Sequence, residues 1–81
     1  MRTTRFITLA KITALELGGM VTEPSEGKRG NIFVQRVNIG YNVGFDGELG
    51  GVEFLEDDTR PAHARVNELR IRVIAEAHNG H

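Results

Sequence analysis

From Gly30 to Phe54 the chain reads GNIFVQRVNIGYNVGFDGELGGVEF, and this alternation of apolar with small polar residues constrains the fold more than any other feature. A period of two places Val37, Ile39, Tyr41, Val43 and Phe45 on one side of an extended chain and Arg36, Asn38, Gly40, Asn42 and Gly44 on the other. The first set builds a core; the second is almost bare of side chains. Asp46-Gly47 has the residue types of a two-residue hairpin turn with positive φ at both positions. Such a turn sets Phe45 opposite Glu48, Val43 opposite Gly50, Tyr41 opposite Val52 and Ile39 opposite Phe54, so the apolar sides of an Ile32–Phe54 hairpin coincide. Leu49 and Leu55 fall on the polar side, where a bulge at Gly50-Gly51 would absorb part of the discord.

Glycine weakens a strand, and a merely solvated face ordinarily carries Thr, Lys or Glu. Gly40, Gly44, Gly50 and Gly51 therefore predict a close neighbour, either a helix or loop of the same chain lying on the sheet or a partner. On the partner reading, Asn38, Gly40, Asn42 and Gly44 are the contact residues.

The C-terminal run DDTRPAHARVNELRIRVIAEAHNGH is punctuated as a helix. Asp58 or Thr59 caps it, Pro61 suits its first turn, Asp57 and Asp58 suit its positive end, and His78-Asn79-Gly80 stops it. Glu68 and Arg72 stand four apart as a favourable pair. At about 100° per residue, Ala62, Val66, Leu69, Val73 and Ala77 form one apolar stripe, and Ala64, Ile71 and Ala75 form another on nearly the opposite side. Two stripes predict two neighbours. The second is either the N-terminal segment or another copy of the chain, with Ala64, Ile71 and Ala75 forming a twofold seam.

Residues 5–17 fit two patterns, a β-branched strand in RFITLAKIT and a helical stripe closed by Gly18-Gly19; the first half is read as strand. Met20-Val21-Thr22 predicts a second short strand, and EPSEGKRG a turn cluster. The whole is read as one α+β domain spanning residues 1–81: a small antiparallel sheet, with the central hairpin as its clearest element, packed by a C-terminal helix.

Folding of an 81-residue chain leaves a large fraction of its surface exposed, which favours association with another molecule. It has no Cys, hence no disulfide and no thiolate chemistry. The net charge is −1, which argues against a chain built to neutralise phosphates. Charge is uneven: no Lys or Arg falls between Val37 and Thr59, whereas Arg60, Arg65, Arg70 and Arg72 follow. Polar residues interrupt the N-terminal apolar stretch well short of the ~20 residues of a membrane span. No secretory signal is read, and a cytoplasmic location is expected.

Three motifs are present in part. RGNIFVQR is similar to the stacking octamer of the RNA recognition motif at Arg29, Gly30, Phe33 and Val34, but Asn31 and Arg36 stand where aromatics belong. GKRG has the form of a KH-domain backbone clamp, yet a β-patterned run follows it directly. Asn42–Glu53 has a calcium-loop spacing at Asp46, Gly47 and Glu53, with Gly44 where a ligand is needed. His63 and His78 are too far apart on a helix to share a metal, His78 and His81 sit at the chain end, and Ser25 lacks a nucleophile's setting. No cofactor, no metal and no catalytic activity are expected. The expected function is binding of another protein, as an inhibitor, adaptor or assembly component, with a homodimer as one form. The alternative is a nucleic-acid module using Lys28, Arg29, Phe33 and Arg36.

Overall fold

Asn38 and Ile39 form a turn that divides the alternating stretch in two, so Val37 and Gly40 face each other across it. The computed structural model describes residues 6–25, 30–47 and 50–79, the side chains of 73–79 excepted. Its elements run α1 (Leu9–Thr13), β1 (Met20–Pro24), β2 (Gly30–Val37), β3 (Gly40–Gly47), β4 (Gly50–Glu56) and α2 (Thr59–Asn79). The strands form an antiparallel sheet in the order β1-β2-β3-β4. The α+β class, with the sheet packed by the C-terminal helix, is as expected.

Several details differ from the sequence reading, the first being the hairpin. Asp46 and Gly47 belong to β3, and the link to β4 is residues 48–49, which lie outside the described residues. The expected register is displaced by four residues: Tyr41 pairs with Glu56, Val43 with Phe54 and Phe45 with Val52. An even displacement keeps every side chain on its face. The observed register is better on the core side, because Val43 meets Phe54 rather than a glycine, while Ile32 and Val34 pair with Phe45 and Val43 from the other flank. Pairing runs without interruption through Gly51 and Gly50, so no bulge forms there. Because the turn reverses the chain, Arg36 lies on the core side opposite Tyr41, Val37 on the other side, and Ile39 at the turn.

The second difference is the N-terminus, where the expected strand over the first half of 5–17 is replaced by α1. The Thr8 hydroxyl accepts from the Lys11 N–H at 3.2 Å as a cap, and Ile7, Ile12 and Leu15 are buried. Burial of these three against the rest of the core outweighs the weak β preference of the run. The third is an ion pair: Glu68 bonds Arg65, one turn back, rather than Arg72.

Asp58 starts α2, its carbonyl accepting from the Ala62 N–H at 3.1 Å. The helix buries Ala62, Val66 and Leu69 against Ile32, Val34 and Val43 of the sheet, together with Ile7, Ile12 and Leu15. It crosses from β4, where Arg65 bonds Glu56 at 2.8 Å and lies over the Phe54 ring, to β1, where Arg70 bonds Glu23. Both helices thus occupy one face of the sheet, and the side bearing Gly44 is the opposite one. The expectation of a helix or loop lying on the bare side is corrected here.

Candidate protein-interaction face

The pairing register writes the open face as rows. Across the turn end run Met20, Gln35, Asn42 and Leu55; across the middle run Thr22, Phe33, Gly44 and Glu53; across the far end run Pro24, Asn31, Asp46 and Gly51. Part of this face, from Met20, Thr22, Phe33 and Gln35 to Asn31, Asp46, Gly51 and Glu53, lines an open trough of ≈ 720 Å³ that also reaches Phe45 and Val52.

The bare middle row has a local cause. A Cβ at Gly44 would run into the Val52 carbonyl oxygen and stand 2.9 Å from Cζ of Phe33. The Phe33 ring therefore lies across the glycine and buries it, an arrangement in which a neighbouring aromatic supplies the packing that a strand glycine lacks. The close neighbour implied by the sequence is a side chain of the adjacent strand. Gly40 is bare for another reason: its φ is 149° and the Glu56 carbonyl crowds it.

The face is level in the middle and apolar towards the turn. Met20 and Leu55 are 55% and 52% exposed, and the same end of the sheet carries Leu17 and Ile39 at 65% and 72%. Two amides, Gln35 and Asn42, fill the row between Met20 and Leu55. Several large exposed apolar groups at one end of a sheet are a usual mark of a surface that another molecule covers. Away from the turn the face is acidic, with Glu53 exposed in the middle row, Asp46 exposed in the far row and no Lys or Arg among the described residues of the three rows.

The sequence-predicted residues divide among several places. Asn42, Gly44 and Phe33 come together on the open face, Gly40 lies at its turn end, and Asn38 sits in the turn itself. Ala64 and Ile71 lie elsewhere, exposed on α2, with Ile71 69% exposed. The described N-terminal residues, from Phe6 onwards, do not cover them, since they pack along the Arg70 flank, where Arg70 donates to the Ile7 carbonyl at 2.8 Å. Ala75's side chain lies outside the described residues, as do Lys28 and Arg29. Arg36 is parted from Phe33: it lies on the core side and donates from Nη1 to the Leu15 carbonyl at 2.8 Å. Met20 joins the face without any signal in the sequence. Leu55 does carry one, because a large apolar side chain on the polar side of a strand is a discord that a covered surface resolves.

Among the described residues, no group of three or more His, Asp or Glu side chains could hold a metal ion. Nor, among the described residues, is any helix long and apolar enough to cross a membrane. No protein-family model, curated protein or solved structure matches this chain.

Proposed function

We propose that this protein acts without catalysis, by binding another protein through the open face of its sheet. The observation that carries this reading is the row from Met20 to Leu55, two large exposed apolar side chains at its ends beside the Phe33 platform. Burying such side chains against a partner is worth about 1.5–3 kcal/mol each when complete. Inhibitor, adaptor and assembly roles share this surface chemistry.

The same face suits nucleic acid less well. Phe33 is a stacking group, but Glu53 shares its row, Asp46 follows, and both repel phosphate. Arg36 is already committed to the Leu15 carbonyl.

Affinity capture from native cell extract, with a nuclease-treated control and mass spectrometry, tests the reading. The expected result is a protein partner retained after nuclease and lost by a Met20→Asp, Leu55→Asp variant that keeps its circular-dichroism spectrum. A ligand lost to nuclease, or a protein held equally by the variant, would contradict it.

A further inference from the structure

The described part of the molecule is a slab measuring 39 × 33 × 19 Å, with an unpartnered surface on each broad side. One is the open sheet face. The other is the outer side of α2, where Arg60, Ala64, Asn67 and Ile71 fall within about 60° of one another, roughly opposite Ala62, Val66 and Leu69.

We propose that these two surfaces dock on each other between copies of the chain, head to tail, so that the outer side of α2 in one copy lies across the open sheet face of the next. The proposal rests on the open face being a protein-contact surface, and it names the partner. Charge carries it. The sheet face presents Asp46 and Glu53 with no described cation, while the outer side of α2 presents exposed Arg60, with exposed Arg72 on its flank, and the one acid among the helix's described side chains, Glu68, is bonded to Arg65. Sheet against sheet would bring together two faces that each carry Asp46 and Glu53 and no described cation. Helix against helix would bring together two outer sides that each carry Arg60 and no described acid of their own. Only the mixed contact sets opposite charges together.

Shape and layering agree with charge. Phe33 lying over Gly44 leaves the middle of the face level, and Ala64 keeps the helix side low, so a helix can approach closely. Ile71 supplies a large apolar anchor for the face that bears Met20, Phe33 and Leu55. A sheet with helices on only one side is completed by a helix on the other, the layer arrangement that buries both faces. Such a contact joins two different surfaces, so it builds a ring or a stack rather than a closed twofold pair.

Two variants separate the surfaces. Asp46→Lys with Glu53→Lys blocks the sheet face, and Arg60→Glu with Ile71→Asp blocks the helix side; all four positions are exposed. In sedimentation velocity the wild type should grow beyond a dimer as concentration rises. Each variant alone should stay monomeric, and an equimolar mixture should form a one-to-one heterodimer, because each supplies the surface the other lacks. Where a double variant loses its circular-dichroism spectrum, Glu53→Lys and Ile71→Asp singly replace it. A wild type that is monomeric at every concentration, a variant that still self-associates, or a mixture that stays monomeric overturns the proposal. If the wild type is monomeric yet Met20→Asp, Leu55→Asp releases a captured protein, this inference falls and the broader reading stands; if neither surface binds protein, both fall.

Discussion

The Glu23 carboxylate, buried on the inner face of β1, receives Nε and Nη2 of Arg70 at 2.8 and 2.7 Å, a two-pronged ion pair that ties the first strand to the last helix. The same carboxylate accepts the Ile7 N–H at 2.8 Å, and Arg70 donates to the Ile7 carbonyl, so the N-terminal segment is held in the same knot. A charge pointing inward from an edge strand also discourages another strand from adding there, and Pro24 beside it lacks the N–H such a strand needs.

That knot predicts acid sensitivity. Burial by itself pushes the Glu23 carboxyl up, but the Arg70 and Ile7 hydrogen bonds and the charges of Arg70 and Lys11 outweigh it and hold the carboxyl below its ordinary 4.5. Because the folded value is the lower one, the pair stabilises the protein above pH 4.5 and stops doing so as pH falls through the folded value. Glu23→Gln should cost roughly 3 kcal/mol at neutral pH, the low end for breaking a buried pair, since Arg70 keeps some solvent contact. Thermal melts across pH should show the gap between wild type and variant closing as acid is added.

Glycine substitutions should separate two kinds of bareness. Gly44→Val drives a side chain into the Val52 carbonyl and displaces Phe33, and should destabilise by about 1–3 kcal/mol, measured by urea unfolding. Gly40→Val adds a φ of 149° that a β-branched residue resists, and should destabilise at least as much. Gly50 also has a positive φ but nothing within 4 Å, so its variant should suffer the backbone penalty alone.

Arg36 offers a test against nucleic-acid binding. Arg36→Gln removes the bond to the Leu15 carbonyl and should lower stability by about 1 kcal/mol. Binding to mixed DNA and RNA oligonucleotides should be weak, erased by salt, and unchanged by this substitution. Tight binding at physiological salt that Arg36→Gln abolishes would reverse the ranking.

The two stripes of α2 should respond oppositely to substitution. Leu69→Ala empties a buried site and should cost about 2–5 kcal/mol. Ile71→Asp, on a side chain 69% exposed, should leave the melting temperature of the dilute protein nearly unchanged.

Much of the fold is legible in the sequence where a pattern repeats. The helix start at Asp58, the Ala62/Val66/Leu69 stripe and the face parity of Tyr41, Val43 and Phe45 are periodic or local signals, and each is found in place. Turn positions are not. Asp46-Gly47 is the stronger local turn signal, but β2 can pair with β3 only if the chain reverses at Asn38-Ile39, and that gain is nonlocal. The N-terminal run carries both periods, and packing decides for helix. The open face is half legible: its glycines signal a close approach, but that Phe33 from the next strand provides it depends on a register that local patterns do not specify.

Methyl NMR in nuclease-treated native extract tests most directly whether the open face is a protein-contact surface. Relative to buffer, the methyl signals of Met20 and Leu55 should shift or broaden selectively, while those of buried Ile12 and Val34 hold their positions. Methyl signals of Met20 and Leu55 that match in extract and buffer, or changes confined to other surfaces, would contradict the account.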